Sequence, residues 1–367
     1  MEEMFVSKVP FRPSAVFILL FACTVSFSQQ KPEDKLFQEG VLRLKDSKFP
    51  EAEAAFRKVA ELEPAGLRGS LGVAQVFFAQ KQPDQAVRFL QAALAANPGR
   101  LDLLVALGDS AVRAGQPDLA LAEYRLALTG ASSAASEDLY VPRGAAGGTI
   151  VGRPADPVAE SLNVLAGRDA TPKGLAGIHL RLAETYRLRN DHIGAAEEWA
   201  KLSALMPKTG WILTNLGMEM EAAGKREDAL KVYREVLAVD PSNAVVLNNL
   251  AFMIAETPGG DLFEALRLAR RAKMLVPGSA DIMDTEGWVS LKQGYVDDAI
   301  GTFLRVVSMQ PVNPAFRKHL ADAITQRGLH SPAVDALVKV LNSPPIAGDE
   351  EEVRNLLRNL ATEQTIR

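Results

Sequence analysis

The four histidines, His179, His192, His319 and His330, are the side chains that titrate near neutral pH, so acid–base or metal chemistry would begin with them. They are dispersed along the chain, and no two have the His-Glu-x-x-His spacing that sets two imidazoles and a base on one helix face. His192 and His330 fall in turns between helical stretches, where exposed histidines are expected. Cys23 is the only cysteine and lies in an apolar run near the N-terminus, which excludes an intramolecular disulfide and leaves no thiol nucleophile further along. The glycine-rich residues 144–149, GAAGGT, lack the Gly-Lys-Ser/Thr ending of a phosphate loop. Glu197-Glu198 and Asp297-Asp298 open helical stretches, where exposed carboxylates complement the helix dipole. These residues assemble no catalytic, cofactor or metal site, so a noncatalytic protein is expected.

The elements that would position any site are short amphipathic helices. Residues 211–241, WILTNLGMEMEAAGKREDALKVYREVLAVDP, read as two of them. Ile212, Leu213, Leu216 and Met220 share a face of the first, and Ala229, Leu230, Tyr233, Val236 and Leu237 a face of the second. Gly224 suits the end of the first, and Pro241 cannot continue the second. Such a pair cannot bury its apolar faces alone, and the chain supplies the missing surface by repetition. Ala52, Ala86, Ala120, Ala195, Ala229, Ala265, Ala299 and Ala333 follow one another at 34 residues, apart from one step of 75 and one of 36. Twelve residues before this alanine stands Gly or Ala (Gly40, Ala74, Gly108, Ala183, Gly217, Gly287, Ala321), with Ala251 fourteen before in the expanded unit. Four residues after it stands mostly a large side chain, such as Phe56, Tyr124, Trp199, Tyr233 and Phe303. Twelve after it stands proline, except at Ser132.

This pattern resembles the tetratricopeptide repeat, whose period is 34. The resemblance covers nearly all of residues 33–345 and implies an all-α solenoid, a right-handed superhelix of about eight helix-turn-helix units. Residues 33–134 make units one to three and 176–347 units four to eight. Between them, residues 135–175 form a Gly/Pro/Ala-rich insertion, and 349–366 form a C-terminal capping helix. In this family the first helix of each unit lines a concave face. Carried over unit by unit, its surface holds Gln75 and Asp109, then Arg181, Glu184 and Arg187, then Thr214, Asn215 and Met218. It continues through Asn248, Asn249 and Phe252, through Asp284, Thr285 and Trp288, and ends with Lys318, His319 and Asp322. Amides, aromatics and both signs of charge suit an extended peptide or a helix of a protein partner. The paired-lysine carboxylate clamp known in the family is not matched, because no lysine accompanies Asn215 and Asn249.

A net charge of -4 and a pI near 5.8 give no basic excess for nucleic acid or for a polybasic membrane contact. Residues 1–28 read as a signal peptide. Lys8 and Arg12 precede the apolar residues 15–25, AVFILLFACTV, which are too short to span a bilayer, and Ser26-Phe27-Ser28 offers small residues for cleavage. A rival reading takes LFAC, residues 20–23, as a lipobox, with Cys23 lipidated and anchoring the chain to a membrane. The resulting expectation is an exported, noncatalytic scaffold or adaptor of a bacterial periplasm or cell envelope. It would bind a protein or peptide, with no cofactor, nucleic acid or small-molecule substrate. The alternative is an accessory or catalytic module of an envelope enzyme system with a site in residues 135–175, where Asp138, Tyr140, Arg143, Arg153 and Asp156 are the candidates.

Overall fold

The computed structural model describes residues 31–131, 174–328, 332–344 and 349–365, with side-chain burial described over most of these. Seventeen α-helices occupy them, and they follow one another as antiparallel pairs. The first three pairs are α1 (Pro32–Lys45) with α2 (Phe49–Leu62), α3 (Arg68–Ala79) with α4 (Pro83–Ala96), and α5 (Leu101–Arg113) with α6 (Pro117–Gly130). Five more are α7 (Gly174–Leu188) with α8 (His192–Leu205), α9 (Gly210–Ala222) with α10 (Arg226–Val239), α11 (Ala244–Glu256) with α12 (Leu262–Leu275), α13 (Ala280–Lys292) with α14 (Val296–Met309), and α15 (Pro314–Arg327) with α16 (Pro332–Leu341). A last helix, α17 (Asp349–Thr365), packs against α16 and α14.

Local chemistry starts and stops these helices. Pro50, Pro83 and Pro117 sit in the first turns of α2, α4 and α6, where a missing N–H leaves no bond unmade. Asp191, Asn243, Asp261, Ser279 and Asn313 accept hydrogen bonds from the first free N–H groups of their helices. One residue with positive φ closes each turn inside a pair: Ser47, Lys81, Gly115, Asn190, Gly224, Gly259, Gly294 and Gly328. The expanded sixth unit places Asp261 of its Thr-Pro-Gly-Gly-Asp turn at the start of α12.

The repeated alanines are the points of closest approach. Ala52, Ala86, Ala120, Ala195, Ala229, Ala265 and Ala299 are each 0% exposed, leaving no room for a larger side chain. The wedge residues four positions later are buried as well. Tyr233 lies against Gly217, whose added Cβ would come within 2.5 Å of the ring. Each apolar cluster straddles neighbouring pairs; the one holding Leu44 and Phe56 extends through Val73 and Leu90 to Leu103 and Leu107. The core is therefore a spine running along a stack, which is the all-α solenoid expected from the repeat. The stack continues across the long spacing between Ala120 and Ala195, because α7 packs on both α6 and α5.

Candidate functional site

Several residues expected on the open face of the first helices instead tie one unit to the next. Arg181 and Asp284 are the clearest corrections, since both are buried. Arg181 donates from Nε and Nη2 to the carboxylate of Asp109, at 2.8 and 3.0 Å, and joins α7 to α5. Asp284 on α13 lies 2.8 Å from Nδ1 of His319 on α15, and burial pushes its pKa upward against the pull of that imidazole. Gln75, also buried, accepts from Arg113 of the next unit at 2.7 Å. These three side chains are internal, and each pairs with a residue of a neighbouring unit.

Others are engaged yet remain partly open. Arg187 donates to Glu219 and to Oδ1 of Asn215, the latter at 2.7 Å, while its guanidinium lies over Trp199. Asn215 donates in turn to the Trp211 carbonyl, and Asn249 to the hydroxyl of Tyr233. Trp288 stacks on His319 with ring centroids 4.3 Å apart and donates to Glu256 at 2.8 Å. Burial of Glu256 opposes its charge, but the hydrogen bonds of Lys292 and Trp288 outweigh this and hold its pKa down. Trp288 therefore wedges units together more than it waits for a ligand. Glu184 is partly buried, and Lys318 and Asp322 are exposed.

An apolar stripe remains at least partly exposed on α9 and α11, although Trp211 packs edge-on against Trp199 with ring centroids 5.8 Å apart. Trp211 is 45% exposed, Met218 41% and Val245 51%, with Phe252 partly exposed beside them. Trp211 and Met218 are seven residues apart, as are Val245 and Phe252, so each pair lies two turns apart on one helix face. Between Val245 and Phe252, Oδ1 of Asn248 is buried and accepts no hydrogen bond among the described residues. Sequence reasoning included Met218, Asn248 and Phe252 but missed Trp211 and Val245, which the seven-residue spacing could have supplied.

The histidines also have partners that the sequence did not reveal. His179 is buried with Nδ1 2.6 Å from Glu198, and Lys201 donates to the other oxygen of that carboxylate at 2.7 Å. Burial of Glu198 alone would raise its pKa, yet these two hydrogen bonds bring it below the ordinary value. Glu198 is thus a buried hub rather than an exposed helix-start carboxylate. His192 is likewise not a solvated turn residue, since its Nδ1 lies 2.8 Å from Glu219 on α9. Among the described residues no three His, Cys, Asp or Glu side chains gather as a metal site, and no helix is long and apolar enough to cross a membrane. Cys23, residues 1–28, His330 and the candidates Asp138, Tyr140, Arg143, Arg153 and Asp156 lie outside the described residues.

Two tetratricopeptide repeat models match the chain, at residues 37–100 and 77–129. A stretch of 147 residues is 28% identical to the human general transcription factor 3C polypeptide 3, covering 38% of this chain and only 16% of that protein's length. Among solved structures, the C-terminal part of a TPR repeat-containing protein from Cytophaga hutchinsonii superposes with a TM-score of 0.51 at 14% identity, over 77% of this chain and 99% of that one. A tetratricopeptide repeat protein from Parabacteroides merdae gives a TM-score of 0.42 at 13% identity, over 80% of this chain and 98% of that one. These structural likenesses are likenesses of fold.

Proposed function

We propose, from the premise that this chain is a tetratricopeptide repeat protein, that it is a protein-interaction scaffold whose partner lies on the free face of the first helices in units four to eight. The observation that carries the reading is the stripe of Trp211, Met218, Val245 and Phe252, four apolar side chains that are exposed or partly exposed at equivalent, seven-residue spacings on the first helices of two successive units. Apolar groups at this spacing suit the anchoring side chains of an extended peptide or an amphipathic helix. Exposed Lys318 and Asp322 and half-open Arg187 would set orientation more than affinity. The role is noncatalytic, as is typical of this repeat.

The signal-like residues 1–28 support a place outside the cytoplasm, either as a freely exported protein or as one anchored through Cys23, acting as an adaptor in envelope assembly or export. Photo-crosslinking from intact cells tests the binding reading. A crosslinker at position 218 or 245 should capture the same protein, and one at exposed Arg305 on the outer helix α14 should not. Met218→Glu with Val245→Glu should abolish capture while helicity and melting stay unchanged. Capture that survives the double substitution would place the partner elsewhere. Recovery of an uncleaved chain in the cytoplasmic fraction would remove the envelope assignment.

A further inference from the structure

Glu123 on α6 and Glu198 on α8 occupy one position of the repeat, three residues after the buried alanine of successive units. Glu198 is satisfied by His179 and Lys201. The residues corresponding to those two beside Glu123 are Leu104 and Leu126, so this unit has the carboxylate without either cation. Oε2 of Glu123 is buried and accepts no hydrogen bond among the described residues. Burial is then uncompensated, and the pKa of Glu123 rises where that of Glu198 falls.

Glu123 is one of the residues lining a cleft of about 590 Å³ between α4, α5 and α6, walled by Leu94, Pro98, Leu101, Leu104, Leu107 and Leu126. The volume is in the range of ligand pockets, roughly 300–1,000 Å³. Apolar walls around one carboxylate match a side chain with an aliphatic stem and a cationic tip, which buries the stem and keeps the tip paired. A neutral polar tip would leave the charge uncompensated, whereas a cation would supply what Lys201 supplies to Glu198. The cleft is in units two and three, away from the stripe on α9 and α11.

We propose that this cleft docks a cationic amphipathic segment of a protein partner, with an arginine or lysine head on Glu123 and apolar neighbours on the leucine walls. Charge complementarity specifies the occupant, because the same position one unit later contains the missing cation within the chain itself. The inference goes beyond the preceding reading and concerns a different surface.

The probes are two fluorescein-labelled Ala/Leu helical peptides, identical except for one arginine or one glutamine, titrated against the full chain by anisotropy. The arginine peptide should bind at least about tenfold more tightly, the ratio corresponding to a modest desolvated charge pair. Glu123→Gln should reduce it to the affinity of its glutamine twin. Leu126→Lys, which places an amine where unit four has Lys201, should do the same without lowering the melting temperature. Replacing residues 132–173 with a Gly/Ser linker of equal length should leave the affinity unchanged. Equal binding of the two peptides to the unaltered chain, or an arginine preference that survives Glu123→Gln, overturns the proposal. Arginine-dependent binding that emerges only after the linker replacement assigns the cleft to the chain's own segment and also overturns it. Hexylguanidinium binding as tightly as the peptide would make this a small-cation site and remove the protein partner. Because the score is arginine dependence rather than capture of a cellular protein, failure here leaves the reading of the α9–α11 stripe standing.

Discussion

Glu123 and Glu198 respond to burial in the same direction, and what separates them is the company each keeps. Burial raises both, but at Glu198 the hydrogen bonds of His179 and Lys201 win and the carboxyl titrates below its ordinary value of 4.5. A carboxyl with a lowered folded pKa stabilises the fold fully above the unfolded value and loses that contribution as pH falls through the folded one. Glu198→Gln should therefore cost about 1.5 to 3 kcal/mol at neutral pH, the worth of hydrogen bonds to a charged group. It should also flatten the loss of melting temperature below pH 4.5. Glu123 has the opposite sign. Its raised pKa means that ionisation in the fold costs stability as pH rises from the ordinary value through the folded one, so Glu123→Gln should leave neutral-pH melting unchanged or raise it. Melting curves across this pH range check both, and an equal fall for the two variants would mean that Glu123 has a stabilising partner. This pairing was not legible in the sequence. His179 and Glu198 are 19 residues apart on two helices, and the 34-residue pattern records where a side chain sits without recording what it meets.

Elements were far more legible, because the repeat encodes contacts between backbones. The small residue twelve before the buried alanine and the aromatic four after it meet inside one unit, as Gly217 and Tyr233 do. Volume, not propensity, decides such a position. In an exposed helix interior, Gly→Ala gains about 1 kcal/mol, but a Cβ at 217 would meet a fully buried ring that has nowhere to move. Overpacking of this kind costs about 1 to 3 kcal/mol. Gly217→Ala should thus lower the denaturant midpoint, whereas Gly301→Ala on α14, where a Cβ meets nothing within 4 Å, should raise it. Two shifts of the same sign would mean that helix propensity rules and the close approach is unimportant. The free faces of the helices are less legible for the same physical reason: no neighbour constrains them, so only periodicity within a helix marks them. Met218 and Phe252 could be placed by repeat position, but the correct fates of Arg181 and Asp284 depended on their partners in neighbouring units, Asp109 and His319.

At the scale of the whole molecule, the spacing of 75 residues between Ala120 and Ala195 suggests an array divided into three units and five, yet the apolar spine and the polar ties cross that point. Ile178 and Leu182 of α7 join the cluster built on α5 and α6, and Arg181 is clasped by Asp109, which also accepts from the hydroxyl of Tyr124 at 2.6 Å. In a stack where each unit touches only its neighbours, cooperativity is set by the weakest interface. Arg181→Ala would leave Asp109 nearly buried without its cation, a change of about 3 to 5 kcal/mol for a buried pair with one partner removed. That loss falls on the junction alone, so the two halves should cease to unfold together. All three tryptophans, Trp199, Trp211 and Trp288, lie beyond the junction, so their fluorescence reports units four to eight, whereas far-UV circular dichroism reports every helix. The two denaturation curves should coincide for the unaltered chain. With Arg181→Ala the dichroism should gain an earlier phase, as α1–α6 melt first, while the fluorescence follows the later one. Coincident curves in the variant would mean that the apolar contacts of Ile178 and Leu182 couple the halves without the ion pair.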